Sequence, residues 1–228
     1  MNNIILLCIS KYFYIIAMDN KLNYVDDLKT IKKIMEESSR FLSLSGLSGL
    51  FAGIIALVGG AVAYLIILNS KALLFDEDLM SLSIKEATTL KIQLIIDALF
   101  VLMLAIGVSL YFSYRRALRQ GLKIWTPVSK RLIINLLVPL VAGGLFIVII
   151  YFENLWQLLV PAMLIFYGLA LVNAGKFTYS EVFYLGIIEI LTGLVSAIFP
   201  EYGLFFWCFG FGFLHIAYGL FMYRKYEG

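Results

Sequence analysis

Six long apolar stretches run through this chain, and nearly all of its Lys and Arg residues lie to one side of them. The stretches fall near 41–68, 87–111, 132–152, 155–174, 180–199 and 202–223. Each is about 20 residues or longer, enough to cross a ~30 Å hydrocarbon core as helix. Lipid offers backbone N–H and C=O groups no partner outside their own segment, so helix is the state each stretch must take. The expected fold class is all-α: a polytopic membrane protein with six transmembrane helices in a bundle. With 62% hydrophobic and 14% charged residues over 228 positions, six spans leave no room for a soluble domain as well.

Basic residues set the orientation. With the N-terminus inside, the cytoplasmic face takes Lys21, Lys29, Lys32, Lys33 and Arg40, then Arg115, Arg116, Arg119, Lys123, Lys130 and Arg131. It also takes Lys176, Arg224 and Lys225, whereas Lys71, Lys85 and Lys91 fall on the outer side. The positive-inside rule then predicts both termini in the cytoplasm. Trp156 and Tyr202 near the outer ends suit the interfacial aromatic belt. The basic loop from Ser113 to Lys130 reads either as a surface against anionic headgroups or as a topogenic cluster with no specific ligand. The lipid bilayer is the expected partner, and no nucleic acid is.

Two segments precede the spans. Residues 1–17 are apolar but interrupted by Ser10-Lys11, too short to span, and lack the basic start of a signal peptide. They read as a misassigned start, with Met18 the first residue, or as an extra interfacial segment. In 18–40, Leu22, Val25, Leu28, Ile31 and Met35 recur at helical spacing with Lys29, Lys32 and Lys33 around them. This predicts an amphipathic helix on the inner leaflet, or one packed on a soluble partner.

Short connections at Glu153-Asn154, at 175–178 and at Pro200-Glu201 predict that spans three to six form a compact four-helix unit. In span one, Ser45, Gly49 and Gly53 are spaced by four, as are Ser48, Ala52, Ala56 and Gly60. Small residues at this spacing let two backbones approach closely, which predicts a tight helix–helix seam on that face, or in a functional reading a sliding surface or a dimer face. Pro139 and Pro161 are expected to bend spans three and four.

The ionisable residues within the spans are Asp97, Glu189 and His215. A carboxylate near the bilayer centre costs roughly 3 kcal/mol on insertion scales, while a Leu repays only a few tenths. At 1.5 Å per residue, Asp97 and Glu189 both lie about 15 Å from the outer face, with His215 about one turn deeper. The three are thus placed where they can meet in one layer. Glu86, Thr89, Gln93 and Asp97 add a polar stripe leading inward from the outer surface. Two readings of this set stand side by side: polar glue between helices, or a proton or ion site.

The stretch Ile34-Met35-Glu36-Glu37-Ser38-Ser39-Arg40-Phe41-Leu42-Ser43-Leu44-Ser45-Gly46-Leu47-Ser48-Gly49 resembles the opening of an uncharacterised bacterial family of small six-span integral membrane proteins. Tyr184-Leu185-Gly186-Ile187-Ile188-Glu189 and Leu214-His215-Ile216-Ala217-Tyr218-Gly219 resemble the same family, over about Leu28 to Glu227. That resemblance implies an architecture and a regulatory or stress context beside winged-helix regulators. Spans five and six, with Gly193 and Pro200, are also faintly similar to acid-resistance membrane proteins of the HdeD type.

The expected function is a non-enzymatic membrane role, structural, regulatory or stress-related, working through a cytoplasmic protein partner or on its own. The alternative is a small proton- or ion-coupled transporter or channel using Asp97, Glu189 and His215, with homo-oligomerisation supplying its second half. No HExxH or GxSxG occurs, and one His with lone Cys8 and Cys208 leaves no ordinary zinc set, so neither an enzyme nor a cofactor is expected.

Overall fold

The computed structural model describes residues 41, 44–70, 84–122 and 124–227, with side chains in the second helix from 87 onward. The readings of 1–17, of 18–40 and of the loop holding Lys71 and Lys85 lie outside the described residues or side chains.

Among the described residues every regular element is helical, and six stretches are long and apolar enough to cross a membrane. They are α1 (Gly46–Asn69), α2 (Ile84–Arg119), α3 (Pro127–Phe152), α4 (Leu159–Gly175) behind a 3-10 turn at Trp156–Leu158, and α5 (Ser180–Ile198). The sixth span is composite: a 3-10 turn at Pro200–Tyr202, α6 (Gly203–Trp207), a π-helical segment (Cys208–Leu214) and α7 (His215–Tyr226). The chain is a multi-pass helical membrane protein.

Several boundaries move for local reasons. The second helix continues two turns past residue 111 to Arg119 and closes at Gly121, whose φ of 65° places it in the left-handed region. The Leu122 amide bonds back to the Ala117 carbonyl and the Gly121 amide to that of Leu118, a Schellman close. The third helix starts at Pro127 rather than near 132. Thr126 Oγ1 accepts the Ser129 amide at 3.1 Å, Ser129 Oγ accepts the Thr126 amide at 2.8 Å, and proline takes the first helical position. Asn154, at φ 57°, makes the α3–α4 turn. Pro161 stands in the first turn of α4, where a missing N–H costs no intrahelical bond, so the bend expected there has no cause. The third helix runs on through Pro139.

Packing departs from the expected grouping of spans three to six. The closest pair is α4 with α5, and α3 leans on α4. The sixth span lies along α1, which packs on its other side against α2. The small-residue face of α1 explains this choice. A Cβ on Gly53 would stand 2.6 Å from the Gly212 carbonyl oxygen and 2.8 Å from the Ile216 amide, so the two backbones are in direct contact. The fourth and fifth helices meet in the same way at Gly168 and Gly186. The most apolar window of α2 is only 6% buried, against 39% in α4 and α5, which puts α2 at the periphery and the core between α4, α5, α1 and the sixth span.

Candidate functional site

The buried face of α5 carries Leu185, Gly186, Glu189, Thr192, Gly193 and Ser196, a stripe at helical spacing that faces α4 and the sixth span. Glu189 sits at its centre with 0% exposure. The Gly168–Gly186 contact brings α4 close on one side. On the other, Gly210 opens the space the carboxylate occupies, because a Cβ there would lie 2.6 Å from Glu189 Oε2. Gly210 belongs to the π-helical segment, whose wider turn re-aims the residues that follow it.

The first of those residues is His215, which is 7% exposed. Its Nδ1 lies 3.1 Å from the Gly210 carbonyl and 3.5 Å from Glu189 Oε1, and its Nε2 lies 2.7 Å from Tyr167 Oη. A carbonyl oxygen only accepts, so Nδ1 carries a hydrogen. In the neutral ring Nε2 is then the acceptor, and the Tyr167 hydroxyl donates to it. The Tyr167 ring also packs on Phe211 at 5.2 Å between centroids. One imidazole thus ties α4 to the sixth span, with the α5 carboxylate beside it. At 3.5 Å the Glu189–His215 contact is an ion-pair distance and no hydrogen bond, and both carboxylate oxygens are buried without a hydrogen-bond partner. Ser196 Oγ, two turns along the same face, is likewise buried and unpartnered.

The other members of the expected set lie elsewhere. Asp97 is only partly buried on α2, and no hydrogen bond or ion pair joins it to Glu189 or His215 among the described residues. Gln93, one turn away, is exposed. Near the N-terminal end of α2, Lys91 Nζ stands 4.1 Å over the Trp156 ring. In α1, Ser45, Ser48, Gly49, Gly53, Ala56 and Gly60 are buried and Ala52 is half-buried. Gly53 and Gly60 meet the sixth span there, at Gly212 and Cys208.

Sequence reasoning missed a second polar cluster, at the end of the bundle where the arginines gather. Arg116, 7% exposed, bonds the Leu44 carbonyl, Glu227 Oε1 at 3.0 Å and the Tyr179 hydroxyl at 3.2 Å. Glu227 also accepts the Gly46 amide at 2.5 Å and Ser45 Oγ at 3.1 Å, so it caps the N-terminus of α1. Lys225 and Glu181 pair beside it at 2.5 Å. Burial pushes the Tyr179 phenol above its ordinary pKa, against the opposing pull of Arg116, so it stays a neutral hydrogen-bonding group. In the sequence Arg116 is indistinguishable from its topogenic neighbours, and Tyr167 is one aromatic among many. The only signal was that Arg116 lies on the helical continuation of span two.

Fold and cluster together define the class: a six-span helical membrane protein with an ionisable group closed inside its bundle. Compared with family models, characterised proteins and solved structures, the chain matches none.

Proposed function

We propose that this chain is a non-enzymatic integral membrane protein with a structural, regulatory or stress-related role. In this reading Glu189, His215 and Tyr167 form a clasp that holds α4, α5 and the sixth span in one arrangement. The observation that carries it is the engagement of both His215 ring nitrogens, by Gly210 on its own span and Tyr167 on α4. Glu189 is fully buried between α4, α5 and the sixth span, which supports a closed core over a wetted path. The charge distribution supports both termini in the cytoplasm, and the resemblance to bacterial six-span proteins supports a bacterial inner membrane. The resemblance of Ile34–Gly49 to six-span bacterial proteins supports a regulatory setting with a cytoplasmic partner. Charge reversal at Lys29, Lys32 and Lys33 should then abolish co-purification of that partner.

A second reading makes the cluster a proton or ion site. It is favoured by the two unpartnered oxygens of Glu189, since a buried polar atom left unpaired calls for an explanation. It rests on Glu189 and His215, because Asp97 and Gln93 stand apart.

Proton flux into liposomes carrying the purified protein separates the two. The clasp predicts no flux driven by a pH gradient, near-normal stability for Glu189→Gln, and a clear loss for His215→Leu, which removes the bonds to Tyr167 and Gly210. A wild-type flux that disappears in Glu189→Gln would replace the clasp with the proton-carrying reading.

A further inference from the structure

A cleft of about 300 Å³ opens at the arginine-rich end of the bundle. Arg115, Arg116 and Arg119 from the last turns of α2 form one wall, and Tyr223, Tyr226 and Glu227 from the end of the sixth span form the other. Spacing of one and four residues keeps the three arginines on a single face of α2. The cleft already holds one anion: the Glu227 carboxylate, gripped by Arg116, Ser45 Oγ and the Gly46 amide. That tethered carboxylate neutralises Arg116. Among the described residues no carboxylate pairs with Arg115 or Arg119, and the buried Nε of Arg116 has no hydrogen-bond partner.

The surroundings say what kind of anion fits. The cleft lies level with the first turn of α1 and the last turns of α2, where a span leaves the hydrocarbon for the headgroup layer. Leu47 and Phe112 give it an apolar floor. On the adjoining face of α2, beside the Arg115 edge of the cleft, Leu110, Tyr111, Tyr114 and Leu118 are all more than half exposed. A phosphate with acyl chains attached satisfies both halves of this surface, the guanidinium forks and the apolar track beside them.

We propose that this cleft binds the phosphate of an anionic phospholipid in the adjacent leaflet. Arg115 and Arg119 take the phosphate oxygens, Arg116 stays fixed between the lipid and Glu227, and the acyl chains lie along α2.

Native mass spectrometry of the full chain, released from mixed phosphatidylglycerol and phosphatidylcholine nanodiscs, reads the bound lipid directly. The wild type should retain phosphatidylglycerol in preference to phosphatidylcholine. The pair Arg115→Gln with Arg119→Gln should lower that retention about tenfold. A control pair from the same basic region but outside the cleft, Lys130→Gln with Arg131→Gln, should keep it. Both pairs should melt like the wild type; if the cleft pair unfolds, the single substitutions make the same comparison. Equal loss in both pairs would reduce the site to diffuse surface charge, and unchanged retention in the cleft pair would remove it. Displacement of the lipid by millimolar inorganic phosphate would mark a free-phosphate site and overturn the proposal.

Discussion

Each buried polar atom in a bundle core has to be matched to a partner, and here the matching is uneven. His215 is satisfied at both ring nitrogens, whereas its neighbour Glu189 is satisfied at neither oxygen. The hydroxyl of Tyr167 is therefore the most informative single atom to remove. Tyr167→Phe keeps the ring contact with Phe211 and deletes only the bond to Nε2. The expected cost is about 0.6–1.7 kcal/mol, the range for interhelical hydrogen bonds in lipid, measured by unfolding in mixed micelles. An unchanged midpoint would mean that this bond does not hold α4 to the sixth span. Glu189 and His215 were legible because a charge inside an apolar run is costly and stands out. Tyr167 was not, because an aromatic in such a run is ordinary. Asp97 shows the matching limit: depth follows from 1.5 Å per residue, but the direction a side chain faces does not follow from a uniformly apolar span.

Helices in lipid gain little from the hydrophobic effect on each other, so their pairing depends on how closely two backbones can come. Gly53→Val tests the contact between α1 and the sixth span. Its side chain would enter the space of the Gly212 carbonyl and the Ile216 amide, at an expected cost of about 1–3 kcal/mol. Gly144→Ala in α3 is the matched control, with no atom within 4 Å of the new Cβ. It should be neutral or stabilise by about 0.5–1 kcal/mol through helix propensity. If the two variants unfold at the same denaturant concentration, close approach is not what joins these helices. The seam face itself could be read from the spacing of Ser45, Gly49 and Gly53, because small residues at every fourth position have one geometric use. Its partner could not: the short loops grouped the sixth span with spans three to five, whereas it lies along α1. The extra turns of α2 lay beyond the apolar run, and only the Schellman close at Gly121 shows where that helix stops. Nothing in Cys208–Leu214 distinguishes a π-helical segment from an ordinary apolar turn.

At the scale of the whole molecule, the Arg116–Glu227 pair joins three parts of the arginine-rich end, with Lys225–Glu181 beside it. Arg116 reaches Leu44 before α1, Tyr179 at the start of α5, and Tyr226 and Glu227 at the end of the sixth span. Arg116→Ala leaves Glu227 with only the Ser45 and Gly46 donors, and should cost about 3 kcal/mol, the low end for a broken buried pair because Glu227 keeps some access to water. Protease sensitivity near Leu44 and Tyr226 should rise with it; a variant that stays resistant and melts normally would show that the pair does not fasten this end. The partnership of the first and sixth spans also bears on synthesis. Between Asn69 and Gly203 the ribosome adds four further spans, which at about 5–20 residues per second takes on the order of ten seconds. Throughout that interval the glycine face of α1 waits in the bilayer without its mate, open to lipid, to an insertion chaperone or to the same face of another nascent chain. His215 and Glu227 both come with the sixth span, so clasp and fastening are completed together, and a translation stop anywhere before that span leaves a protein with neither.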